Sequence, residues 1–345
     1  MPFNSSTGFL LVGAGRMGLT HVQAARNLGL QAAGICDVSE ANLAKAAAAG
    51  GLASSQCHTD AAALFTANPR ADLVVVATTA DSHRPLVEQA AASGARAILC
   101  EKPMATSVAD CDAMIAACTA SGSRLAINHQ MRFMDQYTIV RDELAGGRFG
   151  ALASMTVVAG CFGLAMNGSH YCEAFAWLTG SPIVDASAWF TSGPLNNPRG
   201  PQFFDQAGEV RFSSADGRRL LLNVAADQGH GMTVTYAARH GHIFVDELEG
   251  VCIATARKPE HLALPATRYG MPWDRWERRF PQADNIGPTQ AVMKALLAGS
   301  DPPSGAAGRQ AVAALAAAWR SAEHGHAPVD VSDLGDDAVR RFPWA

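Results

Sequence analysis

The sequence predicts an α/β fold in two parts: a doubly wound parallel sheet at the N-terminal end, then a C-terminal α+β domain on a large, mainly antiparallel open sheet. Three observations carry this. Up to about residue 126, short continuous Val, Leu and Ile runs alternate with alanine-rich helical stretches, the pattern of strands covered on both faces by crossover helices. The run Gly13-Ala14-Gly15-Arg16-Met17-Gly18 lies between the first strand and the first helix. From about Ala151, strand-like segments follow one another across glycine-rich turns, as in an antiparallel sheet.

In the first part, Phe9–Val12 reads as a strand and Met17–Leu28 as a helix stopped at Gly29. Gln31–Cys36 is a second strand, and Asn42–Ala49 a helix ending at Gly50-Gly51. The run Leu73–Ala77 is a fully buried strand, Pro85–Ala92 the next helix and Ala97–Cys100 the strand after it. Asp110–Ala120 and Arg124–Asn128 complete the pattern as helix and strand. Strands in the second part are expected at Ser154–Ala159, Ala186–Phe190, Glu209–Phe212, Arg219–Val224, Met232–Ala237 and His242–Glu247. Asn167–Leu178 reads as a helix among them, and Thr289–Leu297 and Gly308–Ala322 as two closing helices. The domains are placed at 1–126 and 127–345.

A chain of 345 residues exceeds the usual single domain, and 48% hydrophobic with 17% charged residues gives ample core. A formal net charge of −4 gives no electrostatic case for nucleic acid or an anionic membrane as partner. Eight scattered cysteines form no C-x-x-C pair, and no histidine–cysteine cluster has zinc spacing. His230, His240 and His242 are read as structural, and no metal is expected. Residues Met1–Val12 carry no basic n-region, and no apolar run reaches the length of a membrane span. The expectation is a reduced, cytoplasmic protein.

The glycine run permits a tight turn and a close backbone approach to a pyrophosphate at the positive end of a helix. Asp37 ends the second strand 19 residues after Gly18, where a carboxylate accepts hydrogen bonds from adenosine ribose hydroxyls. This is a Rossmann dinucleotide site, with Gly13, Gly15, Arg16, Met17, Gly18 and Asp37 as its expected contacts. Asp37 should repel a 2′-phosphate and so favour NAD over NADP; Ser39 nearby keeps NADP open.

Only four lysines, Lys45, Lys102, Lys258 and Lys294, stand among 27 basic residues. Lys102 lies in Glu101-Lys102-Pro103, directly after the strand ending at Cys100. Arginine serves wherever only positive charge is wanted, but it does not give up a proton near neutral pH. A lysine ammonium in a desolvated pocket does. Lys102 is the first candidate for proton transfer, its alternative being a surface lysine at a strand end.

Taken together, GAGRMG, the run Val74–His83 (VVVATTADSH) and EKP resemble the Gfo/Idh/MocA family, the glucose–fructose oxidoreductase, inositol dehydrogenase and rhizopine-catabolism type oxidoreductases. Further similar segments follow in order: Asn128–Phe133, Gly147–Gly150, the histidine helix His170–Gly180, and Pro303–Val331. The resemblance implies that Thr78, Thr79 and His83 lie by the adenosine and ribose of NAD, and that Glu101, Lys102 and Asn128 also contact the cofactor. The family often has proline where Thr79 stands. Lys102 resembles the catalytic lysine, in a Lys102-Pro103 bond that the resemblance implies is cis. His170 matches a second catalytic position, and Lys102, Arg132, Asn167 and His170 become the expected substrate contacts. Studied members carry an aspartate four residues before that histidine, whereas this chain has Met166. Glu173 either orients the His170 imidazole or is a structural helix residue. Arg132 binds an anionic substrate group or makes a salt bridge between the domains.

Two readings of Tyr269–Phe280, with Trp273, Trp276, Arg275, Arg278 and Arg279, are a cover for a sugar or nucleotide and a loop packed on a neighbouring subunit. The implied activity is hydride transfer between nicotinamide and a hydroxyl-bearing carbon of a sugar, cyclitol or derivative, by a homodimer or homotetramer assembled on its open sheet. Two alternatives stay open: NAD-dependent bond cleavage or epimerisation by transient oxidation, and a non-catalytic dinucleotide-binding sensor.

Overall fold

A computed structural model describes residues 8–160, 163–191, 195–197, 199–282 and 284–344. Cys161 lies outside them. The chain divides into two compact units, Met1–Gln130 with Asp284–Val312 and Asp336–Ala345, and Met131–Ala283 with Ala313–Gly335. The first crossing falls close to the expected boundary at 126/127. The return of 284–312 and 336–345 to the first unit departs from the expected division.

The first unit alternates β1 (Gly8–Val12), α1 (Arg16–Asn27), β2 (Gln31–Cys36), α2 (Glu40–Gly50), β3 (Cys57–His58), α3 (Ala61–Ala67), β4 (Leu73–Val76), α4 (Ala80–Ala92), β5 (Ala97–Cys100), α5 (Val108–Ser121) and β6 (Arg124–Ile127). Its six strands stand in the order β3-β2-β1-β4-β5-β6, and every pairing is parallel. All residues of β4 and β5 are buried, which is why both appear as unbroken apolar runs rather than alternating ones. The sheet reverses its direction of growth between β1 and β4, the place where such folds open a crevice at their carboxyl ends.

β3 and α3 have no counterpart in the sequence reading. The strand is two residues long, and the helix is set by a local cap, Asp60 accepting from the Ala63 amide at 2.8 Å. Helix α4 begins five residues ahead of Pro85, the expected start. Proline there costs the helix one backbone bond without ending it.

The second unit carries α6 (Asp135–Ala145), β7 (Leu152–Gly160), α7 (Ser169–Thr179), β8 (Ile183–Phe190), β9 (Leu195–Asn196), β10 (Phe204–Asp205), β11 (Gly208–Ser214), β12 (Arg219–Ala225), β13 (Thr233–Ala238), β14 (Gly241–Asp246), β15 (Val251–Arg257) and β16 (Trp273–Arg279). Further along come α8 (Ile286–Ala298), which belongs to the first unit, α9 (Gly305–Glu323), which passes from the first unit into the second, and β17 (Val329–Asp330). Nine strands form one sheet in the order β16-β15-β14-β13-β7-β12-β11-β8-β17. Only the β7–β12 pair is parallel. β9 and β10 make a separate two-stranded ribbon.

Alternate residues Met155, Val157, Phe212, Leu220, Leu222 and Val234 are buried on one face. The other face carries polar and mixed residues such as Glu209, Arg211 and Asn223, with Trp189 46% exposed. This alternation is the expected signature of a sheet packed on one side.

The segment Tyr269–Phe280 is corrected. Most of it is the edge strand β16, paired with β15 from Trp273 to Arg279. The Trp276 ring already has partners inside its own unit: Arg148 lies 4.8 Å over it, Phe149 packs at 5.6 Å, and its N–H donates to Glu143 at 3.2 Å. An edge strand rich in charge is disfavoured as a pairing template for other chains.

Candidate functional site

The glycine turn after β1 is built for close backbone approach. Gly13 has φ +92, and a Cβ on it would meet the Ala77 carbonyl carbon at 2.7 Å and the Thr78 amide at 2.8 Å. A Cβ on Gly18 would overlap the Gly13 carbonyl oxygen. So β1, the turn after β4 and α1 come together only without these side chains. Gly15 differs: a Cβ there would meet nothing within 4 Å. Helix α1 starts at that open point, with no side-chain cap and no acidic residue in its first turn. A positive helix end facing open space fits a pyrophosphate.

Asp37 closes the other side of the turn. Its Oδ2 accepts from the Ala14 amide at 2.6 Å and its Oδ1 from the Ser39 amide at 2.8 Å. These bonds hold the carboxylate at the end of β2, where a ribose is expected. The Ser39 hydroxyl oxygen accepts the Asn42 amide as the N-cap of α2.

At the end of β5 the carboxylate of Glu101 is 4% exposed yet strongly held. Its Oε1 accepts from His21 Nε2 and from Asn128 Nδ2, both at 2.7 Å, and its Oε2 from the Lys102 amide at 3.3 Å. Burial by itself raises a carboxyl pKa, but the hydrogen bond and charge of His21, with Lys102 and Asn128, outweigh it and bring Glu101 down to about 2. The sequence reading names Glu101 and Asn128 as cofactor contacts and does not name His21, whose only signal is its place one turn after Gly18.

Lys102 follows at half burial, and the Lys102-Pro103 bond is cis, as expected. The loop after it is fastened carbonyl by carbonyl. His83 Nδ1 stands 3.1 Å from both the Pro103 and Met104 oxygens, while its Nε2 faces the Thr78 oxygen at 3.2 Å. Burial lowers the His83 pKa, while the carbonyl oxygens of Met104, Thr78 and Pro103 oppose that shift. Expected beside the cofactor, His83 spends both nitrogens on backbone and acts by tying the Lys102 loop to the Thr78 turn. The Ala105 oxygen accepts the Trp344 indole N–H at 3.0 Å, and the Thr106 oxygen the Phe342 amide at 2.8 Å. Phe342 and Trp344 stack with centroids 4.5 Å apart. Thr79 is the extended residue before α4, and the Thr78 hydroxyl accepts from Ser82 at 2.7 Å.

Arg132, Asn167 and His170 belong to the second unit. Arg132 pairs with Glu173, and both are buried. Its guanidinium also lies 5.6 Å over the Trp177 ring, which has Arg141 at 5.3 Å. The pair lies inside one unit rather than across two, and it gives Glu173 a structural partner in Arg132.

His170 sits in the first turn of α7, 6% exposed. Ahead of it, Leu164–Gly168 forms a single π-helical turn that runs directly into α7. The carboxylate of Asp205 accepts the Ala165 amide at 2.9 Å and the Met166 amide at 2.8 Å. Next to His170, the Tyr171 hydroxyl donates to Glu247 at 3.2 Å, as does Tyr137 at 2.6 Å. Burial raises the Glu247 pKa; the two hydroxyls oppose this, Asp246 adds to it, and the carboxyl settles at about 7. Neither Asp205 nor Glu247 carried a sequence signal.

Among the described residues, no group of three or more His, Cys, Asp or Glu side chains is placed to hold a metal ion. The seven described cysteines are free thiols. No described helix is long and apolar enough to cross a membrane.

A 3-2-1-4-5-6 parallel sheet, an open helix N-terminus behind a glycine turn and an aspartate at the end of β2 have the form of a dinucleotide-binding unit. Residues 7–129 match the model of the Gfo/Idh/MocA oxidoreductase family, NAD-binding Rossmann fold. Over this stretch, well under half of its length, the chain is similar to the NAD-binding unit of that family. The D-apiose dehydrogenase of Paraburkholderia graminis is 38% identical over 141 residues, 41% of this chain and 36% of that protein. The chain thus matches little more than a third of that relative's length. The inositol 2-dehydrogenase of Streptomyces avermitilis is 26% identical over 243 residues, 66% of this chain and 68% of that protein. In fold the likeness extends further. The crystal structure of an oxidoreductase from Agrobacterium radiobacter in complex with NAD+, L-tartaric acid and magnesium superposes with a TM-score of 0.76. It covers 95% of this chain and 99% of its own, at 21% identity.

Proposed function

We propose that the protein is an NAD-dependent dehydrogenase or reductase acting on a hydroxyl-bearing carbon of a sugar, cyclitol or sugar derivative, with Lys102 as proton donor and acceptor. The observation that carries the reading is the loop after β5. A lysine stands on a backbone whose next four carbonyls are each occupied by fixed partners, beside a carboxylate that His21 and Asn128 keep ionised. Such fastening suits a group that must meet a reacting hydroxyl within a few tenths of an ångström. Relatives named for a sugar and a cyclitol support the substrate class.

NAD, when bound, supplies the hydride acceptor or donor. Gly13, Gly15 and the first turn of α1 would hold its pyrophosphate, Arg16, Met17 and Gly18 completing that turn, and Asp37 would hold its adenosine ribose. Thr78 and Thr79 line the turn after β4. The chain's own residues handle the proton. As the ammonium, Lys102 delivers a proton to a carbonyl oxygen in the reductive direction. In oxidation the same side chain, as amine, takes the hydroxyl proton. His170 and Asn167 are assigned to the substrate as well, His170 as a second proton-handling group. Proton transfer by a positioned group contributes about 10²- to 10⁴-fold in rate.

Lys102→Met is expected to abolish turnover of sugars and cyclitols while calorimetry shows NAD binding nearly unchanged. Turnover at the wild-type rate overturns the assignment. Stoichiometric NADH release separates net oxidation from transient oxidation with hydride return. We assign self-association to the open face of the nine-stranded sheet; a monomer by light scattering overturns that.

A further inference from the structure

The missing carboxylate at Met166 has a counterpart elsewhere in the chain. The helical segment 164–179 begins without a capping side chain of its own, since the residue before it is Gly163. An uncapped helix start leaves its first amides unsatisfied. Here they are satisfied from the ribbon β9–β10. The Leu164 amide donates to the Gln206 carbonyl at 2.9 Å, the Ala165 amide to Asp205 Oδ1 at 2.9 Å, and the Met166 amide to Asp205 Oδ2 at 2.8 Å. Asp205 Oδ1 also accepts the Gln206 amide at 2.9 Å.

The fit is close enough to dictate residue 163. Any Cβ on Gly163 would overlap Oδ2 and Cγ of Asp205. The carboxylate is 3% exposed, and a negative charge at a helix start is favoured by the helix dipole. Downstream, the Asn167 and Gly168 amides both turn back to the Gly163 carbonyl, at 3.1 and 3.4 Å. Such bonding gives the π turn, and its winding decides the direction in which Asn167 and His170 leave the helix.

We propose that Asp205 is a positioning residue for His170. Its carboxylate, delivered from 40 positions along the chain, sets the winding of the turn that aims the imidazole. This rests on the reading of His170 as a proton-handling group. It does not depend on which sugar or cyclitol is the substrate.

Two variants reach the same contact from opposite sides. Asp205→Asn keeps the volume and one acceptor oxygen but places an amide N–H against a backbone N–H. Gly163→Ala leaves Asp205 in place and pushes its carboxylate out. In NAD-loaded protein with labelled histidine, the His170 ring resonances are identified by their loss in His170→Gln. Both variants are expected to shift those resonances and their titration midpoint, leaving the other histidine signals near wild type. With myo-inositol and D-apiose as probes, Asp205→Asn should lower kcat about 100-fold, the scale of an ångström's misplacement, with KM for NAD unchanged. The double variant Asp205→Asn/His170→Ala should be no slower than His170→Ala alone.

Unchanged His170 resonances in both variants overturn the proposal, and so do losses that multiply in the double variant. Wild-type protein inactive on every probe counts against the proposed function alone, and the resonances then decide the role of Asp205.

Discussion

Replacing Glu247 by glutamine should remove a pH dependence that runs opposite to that of Glu101. Glu247 follows β14, its amide bonded to the Met232 carbonyl, and its carboxyl meets the hydroxyls of Tyr137 from α6 and Tyr171 from α7. Tyr236 and Asp246 complete the ionisable surroundings. The pKa is raised from 4.5 to about 7, so between these values the folded protein keeps a proton that the unfolded chain has lost. Stability attributable to this group is therefore intact below pH 4.5 and falls as pH rises to 7. At ~1.4 kcal/mol per unit, the loss is about 3 kcal/mol. A glutamine keeps one acceptor for a tyrosine hydroxyl and carries no charge at any pH. In urea unfolding at pH 5, 6, 7 and 8, the stability of Glu247→Gln minus that of wild type should climb with pH by about 3 kcal/mol and level off above 7. A difference that is flat across that range refutes the argument.

Glu101 carries the opposite sign. Its pKa is lowered from 4.5 to about 2, so its contribution is present above pH 4.5 and disappears as pH falls toward 2. Asp37→Ala should weaken NAD binding about tenfold to a hundredfold, from loss of charge-assisted hydrogen bonds, and leave NADP binding unchanged or better by calorimetry. Equal losses for both would exclude a ribose contact. Trp344→Ala removes a buried ring and its bond to the Ala105 carbonyl. It should cost about 3 to 5 kcal/mol of stability and lower kcat more than it weakens NAD binding; an unchanged kcat would separate the tail from the Lys102 loop.

Much of the nucleotide-binding half was legible because its signals are local. A strand, a glycine turn and a helix lie consecutively at 8–27, and Asp37 and Lys102 each stand at the end of a continuous apolar strand. The misses are of two physical kinds. Short elements such as Cys57–His58 and the charged edge strand Trp273–Arg279 lack an apolar period to read. The second kind comprises contacts made across long separations: Asp205 with Ala165, Glu247 with Tyr137 110 positions away, and Trp344 with Ala105. None has a composition or spacing of its own, because each depends on where the chain returns after folding.

The last of these contacts bears on the order in which the protein is made. Ala105 and its neighbours leave the ribosome early, whereas the indole that holds the Ala105 carbonyl is translated 239 residues later. The loop of Lys102 stays without its full set of fasteners until Phe342 and Trp344 emerge. The fastened geometry of the Lys102 loop is thus completed by residues made long after the loop itself.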